Sequence, residues 1–228
     1  MLYEIQEKDK IIRWATDNND DPEDVDDYII ADSEDEIEGI LINYIVKNNE
    51  RIEIPAGVEE ILYGAFVLYM SKPYEYEWVD APVKEIVIPS SVQFIKNGAF
   101  LGLSLNNVII DEECPAAIFE NRAIFSKDKK RLIHYVDDSL VYEYEVPYGV
   151  EEICDEAFGG LAISLTLPNT VKKICNHAFT YFTGEVFVPE SVKEIENGAF
   201  GKGATIITTK KAYAAKWAKK NKIKLIIK

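Results

Sequence analysis

The sequence predicts an α/β repeat solenoid, in which similar coils stack and place a parallel β-sheet on one face. Three observations predict this fold. One thirteen-residue pattern recurs along the chain, the prolines Pro147, Pro168 and Pro189 of three copies are 21 residues apart, and short alternating apolar segments precede them. Because one coil of this size cannot bury its own apolar face, successive coils must stack on one another.

Each fixed position of the repeated pattern has a structural reason. The pattern is apolar-Pro-x-x-Val-x-x-Ile-x-x-x-Ala-Phe, and its copies are residues 54–66, 88–100, 146–158, 167–179 and 188–200. The alternation before proline is typical of a short strand with one buried face, and proline ends the strand because it has no N–H to donate. The Val and the Ile, three residues apart, predict a tight helical turn that buries one edge. Ala and Phe are expected to close and fill the interior of the coil.

This pattern resembles the BspA-like family of leucine-rich repeats, found in bacterial and some protozoan proteins, over residues 51–228. AIFSKDKKRLIHYV (123–136) is similar to a hairpin of that family, and residues 204–228 are similar to its closing cap of strand, helix near 210–221 and strand. The resemblance implies a right-handed superhelix with short helical turns and loops opposite the sheet. It also implies interaction roles, often adhesion at bacterial surfaces and binding of host matrix proteins.

The chain is expected to have three segments. Residues 1–50 form an acidic N-terminal cap, residues 51–209 the leucine-rich repeat solenoid, and residues 210–228 a C-terminal helix–strand cap. In the C-terminal cap, Tyr213 and Trp217 are four residues apart, so we expect both to cover the apolar end of the last coil.

The N-terminal cap is predicted to combine a hairpin with a helix. Residues 3–17 are interpreted as the hairpin, and residues 33–50 as the helix. Ser33 and Glu36 have capping-box spacing, and apolar residues recur after them at helical intervals, although a strand stays open as the alternative. A further insertion, the loop from Leu68 to Ala81, is rich in tyrosine.

The charge distribution favours a basic partner. The net charge is −15, with −12 in residues 1–50, −11 in residues 51–209 and +8 in residues 210–228. An acidic body of this kind repels nucleic acid and anionic lipid, so a basic protein partner is expected and nucleic acid is not. No segment has the apolar length of a membrane span, which predicts no membrane insertion. The oligomeric state is left open.

The N-terminus bears on location. It has no basic segment followed by an apolar run, so no signal peptide is predicted. If Met1 is the native start, we expect a cytoplasmic protein. If a longer N-terminus has been removed, a secreted or cell-surface location is the alternative.

The sequence predicts no catalytic residues, no cofactor and no metal site. In the acidic loop 17–27, a calcium-binding loop would need Gly and Glu where Pro22 and Tyr28 stand. The chain has two histidines, His134 and His177, which are few for the ligands of a zinc cluster or the base of a thiol protease site.

Two cysteines occupy the same position of the repeated pattern. Cys154 and Cys175 correspond to Leu62, Lys96 and Glu196 in other copies, so this position is predicted to be partly exposed. Since they belong to successive coils, we expect the two cysteines to lie within the Cα distance that a disulfide needs. Reversible oxidation of this pair is a hypothesis.

The exposed sheet face is the candidate binding surface. One column of outward positions is expected to contain Glu53, Val87, Ile109, Glu145, Thr166 and Phe187, and the next Arg51, Glu85, Asn107, Glu143, Ser164 and Glu185. The candidate partner-binding residues are Glu53, Glu85, Val87, Ile109, Glu143, Glu145, Glu185 and Phe187, together with Tyr76 and Trp78 of the insertion. Ordinary strand propensity is the alternative explanation of the outward apolar residues.

The function predicted from these features is a non-enzymatic protein-binding module that uses the exposed sheet face, in bacterial surface adhesion or host interaction. A glycan is the alternative ligand. An intracellular scaffold or regulatory subunit is the alternative role. An enzyme lacks any set of residues to perform the chemistry.

Overall fold

The computed structural model describes two compact units, residues Met1–Phe119 and Glu120–Lys228. The described residues are 27–29, 40–41, 44–46, 51–54, 56–66, 68–72, 75–79, 83–103, 105–136, 142–158 and 164–228, with the backbone alone for those before 51 and for 68–72 and 75–79. The predicted hairpin at residues 3–17 lies outside them. The boundary between the units falls within residues 51–209, and the predicted division into three segments stays a prediction.

The first unit contains short strands. They are β1 (Asp27–Ile29), β2 (Ile40–Leu41), β3 (Tyr44–Val46), β4 (Arg51–Glu53), β5 (Glu60–Ile61), β6 (Leu68–Lys72), β7 (Glu75–Val79), β8 (Glu85–Ile88), β9 (Phe94–Ile95) and β10 (Asn107–Ile110), and β11 (Ala117–Glu120) spans the junction with the second unit.

Two parallel sheets organise the coils of the first unit. In the order β4-β8-β10, the buried residues Ile52, Ile86 and Val108 stand in register. The second sheet has the order β2-β5-β9 and places Ile61 beside Ile95, both buried. The alternation of buried and exposed residues along β4 and β8 confirms the predicted strands with one buried face.

The predicted helix in residues 33–50 is wrong where the structure describes the segment. Residues Ile40–Leu41 and Tyr44–Val46 are strands β2 and β3. β2 pairs in parallel with β5, and β3 pairs antiparallel with β1. The segment is rich in β-branched and aromatic residues, which suit strands, and pairing with a coil outweighs the helical periodicity.

The predicted insertion loop contains an antiparallel hairpin. Strands β6 and β7 pair from Leu68, opposite Val79, to Lys72, opposite Glu75. The candidate residues Tyr76 and Trp78 belong to β7, where they stand opposite Ser71 and Tyr69 in the register.

The second unit has the same architecture and a closing helix. Its elements are β12 (Ala123–Ser126), β13 (Arg131–Tyr135), β14 (Glu143–Glu145), β15 (Glu152–Ile153), β16 (Ser164–Thr166), β17 (Lys173–Ile174), β18 (Glu185–Phe187), β19 (Glu194–Ile195), β20 (Thr205–Thr208), α1 (Tyr213–Asn221) and β21 (Lys224–Ile227). One parallel sheet has the order β14-β16-β18-β20-β21, and a second ladder runs from β13 through β15 and β17 to β19. The predicted hairpin at 123–136 is confirmed, since β12 and β13 pair antiparallel.

Aromatic rings stack through the interior of the second unit. The ring centroids of Phe158 and Phe179 are 5.1 Å apart, and those of Phe179 and Phe200 are 4.8 Å apart, with nearly parallel planes. Both spacings match the strand separation of a sheet, because each coil contributes one ring per layer. The predicted core role of this Phe position is therefore confirmed.

The closing cap is confirmed in its order of strand, helix and strand. Trp217 lies on the last ring of the stack, 5.7 Å from the centroid of Phe200, and is 7% exposed. Tyr213 is 40% exposed, so the expectation that both aromatic residues cover the coil is wrong for Tyr213. The helix α1 ends at Asn221, and Lys222 follows in the left-handed conformation, its N–H bonded back to the helix carbonyls.

The predicted helical turn within each coil is a β-turn followed by a two-residue strand. In the third copy, the Val150 N–H donates to the Pro147 carbonyl, and Ile153 then lies in β15. The isoleucines of successive coils pair in register, Ile153 with Ile174 and Ile174 with Ile195. The fold is thus a parallel β-solenoid of stacked coils with little helix. Among the described residues, no helix is long and apolar enough to cross a membrane.

Candidate functional site

The exposed face of the second unit is built by alternation along β14, β16 and β18. Tyr144, Leu165 and Val186 stand in register and point into the core, where they are buried. Their neighbours on either side therefore point outward. One row contains Glu143, Ser164, Glu185, Thr205 and Lys224, and the other contains Glu145, Thr166, Phe187, Ile207 and Ile226. Thr205 and Ile207 are buried, so the exposed part of these rows lies mainly on β14, β16 and β18.

The acidic side chains of this face are available to a partner. Glu143, Glu145 and Glu185 are exposed. Among the described residues of the second unit, none forms a hydrogen bond or an ion pair with these three carboxylates. Glu143 and Glu145 are two residues apart on one strand, which separates their Cα atoms by about 7 Å.

Phe187 lies in the same face and already holds a cation. The Lys228 ammonium is 4.5 Å from the centroid of its ring. Lys228 is positioned by its backbone, since its N–H donates to the Thr208 carbonyl at 3.1 Å. An aromatic ring at this distance attracts an ammonium or guanidinium group electrostatically.

In the corresponding face of the first unit, the acidic side chains are paired. Glu53, Val87 and Ile109 stand in one row, as predicted, and Ile109 is 43% exposed. In the other row, the Arg51 guanidinium pairs with both Glu53, at 2.8 Å, and Glu85.

The second carboxylate oxygen of Glu85 is also hydrogen-bonded. The Asn107 side-chain amide donates to the second carboxylate oxygen of Glu85 at 2.5 Å. Glu85 is therefore engaged by its own neighbours, whereas Glu143, Glu145 and Glu185 have no such contact with the residues that the structure describes. The predicted residues fall into two groups, one per unit, and the backbone of Tyr76 and Trp78 belongs to the hairpin β6–β7 of the first unit.

The second ladder of the second unit carries alternating charges. Arg131, Glu152, Lys173 and Glu194 stand in register on successive strands. Next to this row, Glu151 accepts hydrogen bonds from Lys172, at 2.5 Å, and from Lys130, at 2.9 Å. These two hydrogen bonds lower the pKa of Glu151 to about 2.

Both cysteines of the repeated pattern are buried, so the prediction of partial exposure is wrong for them. Cys154 is fully buried and Cys175 is 1% exposed, whereas Lys96 at the same position of the pattern is exposed. A long lysine carries its ammonium out of such a position, but a short thiol stays beneath the surface.

Burial makes these thiols less acidic. It raises the pKa of Cys154 to about 12. Burial, followed by the hydrogen bond from its Sγ to the Glu152 carboxylate at 3.2 Å, also raises the pKa of Cys175. A thiol that stays protonated is a poor nucleophile. Neither Cys154 nor Cys175 forms a disulfide in this structure, and their reversible oxidation stays a hypothesis.

The structure brings together one cluster that sequence reasoning missed. Ligand-type atoms of Asp155, Cys175 and Glu196 all lie within 4.8 Å of one another. The three residues come from successive coils, and their separations of 20 and 21 residues equal the repeat period within one residue. That spacing was the available signal, because positions one period apart stack in this fold.

The family follows from these repeats. A family model described as the BspA type leucine rich repeat region matches six copies, in residues 72–129 and 135–212. The chain belongs to the BspA-type leucine-rich repeat family. The matched residues include four of the five copies expected from the sequence, and 54–66 lies outside them. Leucine-rich repeats are generally protein-interaction modules. A search of the curated proteins finds no match to this BspA-type chain.

Three solved structures are similar to this BspA-type chain. A leucine-rich repeat protein from Eubacterium ventriosum aligns with 71% of the chain and 42% of its own length, at 21% identity and a TM-score of 0.55. The pneumococcal vaccine antigen PcpA aligns with 78% of the chain and 68% of its own length, at 17% identity and a TM-score of 0.43. A leucine rich cell surface protein from Faecalibacterium prausnitzii aligns with 78% of the chain and 59% of its own length, at 17% identity and a TM-score of 0.42. The first likeness shows the fold alone, and the chain spans less than half of that protein.

Proposed function

We propose that this chain is a non-enzymatic binding module whose sheet face in the second unit binds a basic protein segment. The observation that carries the proposal is the contact of the Lys228 ammonium with the Phe187 ring, in a face whose three carboxylates are unpaired among the described residues. The face thus holds a cation from its own chain in the way in which it would hold one from a partner.

The charge pattern supports the second unit as the place of binding. In the first unit, Arg51 already pairs with both Glu53 and Glu85, so a cationic partner gains less there. In the second unit, Glu143 and Glu145 offer two carboxylates whose Cα atoms are about 7 Å apart, which is the spacing of residues i and i+2 of an extended peptide. A partner strand with lysine or arginine at alternate positions fits this arrangement. The predicted roles of Val87, Ile109, Tyr76 and Trp78 in binding stay predictions.

A defined probe tests the proposal directly. Fluorescence anisotropy of a labelled peptide of alternating lysine and glycine is measured with the whole chain, with the matching glutamate–glycine peptide for comparison. The triple variant Glu143→Lys/Glu145→Lys/Phe187→Ala is expected to weaken binding of the lysine peptide by about tenfold or more, which corresponds to roughly 1.4 kcal/mol. Binding should also weaken as ionic strength rises from about 0.05 M to 0.5 M, because salt screens exposed charges.

A matched control separates the site from net charge. Glu112→Lys/Glu113→Lys makes the same change in charge at an exposed turn of the first unit and should leave binding nearly unchanged. Equal affinity of the triple variant and the control, or affinity that is constant with salt, would contradict the proposal. A natural partner captured from the source organism supports it only if the triple variant fails to retain that protein.

The location of the module is a separate proposal. Membership of the BspA-type family favours the secreted or cell-surface alternative over the cytoplasm. Labelling of intact cells with a reagent that cannot enter them, followed by mass spectrometry, tests this. Labelled lysines of the C-terminal segment would support exposure at the surface, and labelling only after lysis would favour the intracellular scaffold.

A further inference from the structure

We propose that Asp155, Cys175 and Glu196 form a binding site for a borderline-soft divalent cation, Zn²⁺, on the second unit. The site is independent of the sheet face, and its three ligand atoms lie within 4.8 Å of one another. A thiolate with two carboxylates is a donor set that zinc accepts, and a water molecule would complete a tetrahedral coordination.

The repeat geometry fixes these three residues in place. The Cys175 N–H donates to the Ile153 carbonyl at 2.9 Å, and the Glu196 N–H donates to the Ile174 carbonyl at 3.0 Å. The three residues therefore follow β15, β17 and β19, which are successive strands of one parallel ladder. Ligands in a tetrahedral zinc site are about 3.5 Å apart, so closure on an ion needs a movement of roughly 1 Å, which side-chain rotation supplies.

The contacts of each ligand leave it able to bind an ion. Cys175 is 1% exposed, and its Sγ belongs to the cluster. The Cys175 S–H donates a hydrogen bond to the Glu152 carboxylate at 3.2 Å. Among the described residues, none forms a hydrogen bond or ion pair with the half-buried Asp155 carboxylate. This carboxylate and that of Glu196 offer two negative charges within one cluster, beside the Lys173 ammonium.

One cation already lies beside the cluster. The Lys173 ammonium is 2.6 Å from Glu196 Oε1 and 3.4 Å from the Glu194 carboxylate. The other oxygen of Glu196 accepts a hydrogen bond from the Asn176 backbone at 2.8 Å. Lys173 thus compensates one carboxylate, and a divalent ion would compete with it. Binding replaces the S–H bond of Cys175 with an S–metal bond and releases one proton to the solvent.

The test uses Co²⁺ as a spectroscopic substitute for Zn²⁺. Cobalt bound to thiolate gives a sulfur-to-metal charge-transfer band in the near ultraviolet, and added Zn²⁺ should abolish it by displacement. The double variant Cys114→Ser/Cys154→Ser retains Cys175 as its one cysteine and is expected to keep the band. Addition of Cys175→Ser should remove it.

Variants at the surface of the cluster guard against loss of folding. Asp155→Asn and Glu196→Gln change half-buried side chains and are each expected to weaken Zn²⁺ binding by about tenfold or more in calorimetry. Lys173→Met should tighten it, because a competing charge is removed. Absence of the band in the wild-type chain, or its persistence after Cys175→Ser, overturns the proposal, and so does unchanged affinity in both carboxylate variants.

Discussion

The Nδ1 atom of His177 lies 3.1 Å from Oε1 of Glu156 on the preceding coil, and both residues have a positive φ, of 57° and 54°. The repeated pattern has glycine at this position in three other copies, Gly64, Gly98 and Gly198, which also have positive φ. A side chain in this conformation costs about 1–2 kcal/mol. The hydrogen-bonded pair thus occupies positions where glycine avoids that cost.

Glu156→Gln should make the protein more stable at neutral pH than the wild type. Burial is the main cause that raises the pKa of Glu156 above 4.5. The folded wild-type protein therefore holds this proton more tightly than the unfolded chain, and it loses stability as pH rises through 4.5 toward the folded pKa. The glutamine has no proton to lose, so the stability gap between variant and wild type should widen over this range. Urea denaturation at several pH values measures it, and a gap that narrows as pH rises would contradict the expectation.

Glu151 should titrate near pH 2, since Lys172 and Lys130 both donate hydrogen bonds to it. Because this pKa is depressed, the stabilisation is present above the unfolded value and is lost as pH falls toward 2. NMR titration of the Glu151 side chain measures its pKa in the wild type and in Lys172→Met. The variant and high salt should each raise the pKa toward its ordinary value, because this carboxylate is exposed to solvent.

Gly201→Ala should be more destabilising than Gly149→Ala. A Cβ at position 201 would lie 1.8 Å from the backbone oxygen of Thr180, so the coils must move apart at a cost of about 3 kcal/mol. At Gly149 a Cβ meets no atom within 4 Å, and the cost arises from φ of 106°, at about 1–2 kcal/mol. Denaturant midpoints of the two variants provide the comparison, and equal losses would show that packing at Gly201 relaxes freely.

Phe179→Ala should lower the free energy of unfolding by about 3–5 kcal/mol, because it removes a fully buried ring from the middle of the stack. Phe187→Ala, which truncates the same residue type at the sheet face, should cost less than about 1 kcal/mol. Thermal melts followed by circular dichroism distinguish the two. Similar costs would indicate that Phe187 also belongs to the core.

The core and the sheet rows were predictable because the copies at Pro147, Pro168 and Pro189 have equal length. Equal coils place the same position of each copy in one row, and the observed registers, such as Leu165 with Val186, follow from that alone. The ring stack was predictable for the same reason.

Other features depend on contacts that a single coil does not encode. Residues 33–50 have apolar residues at helical spacing and also high β propensity. Pairing with a coil, as of Leu41 with Ile61, stabilises the strand conformation. The burial of Cys175 depends on its size relative to Lys96, and the cluster with Asp155 and Glu196 uses different positions of the pattern. A comparison of residues at one position of the repeated pattern could not reveal a cluster whose ligands come from two positions.

The helix and last strand of the second unit have a consequence for the protein in a crowded solution. Among the described strands, β21 is the outermost of its sheet, and the edge it presents is a template on which another strand could add. Lys222 and Lys224 are exposed there. Two such edges repel each other because both carry lysines, so the lysines hinder end-to-end growth into filaments. Trp217 covers the last ring of the phenylalanine stack. Conversion of these ammonium groups to neutral amides would remove that protection without disturbing the core.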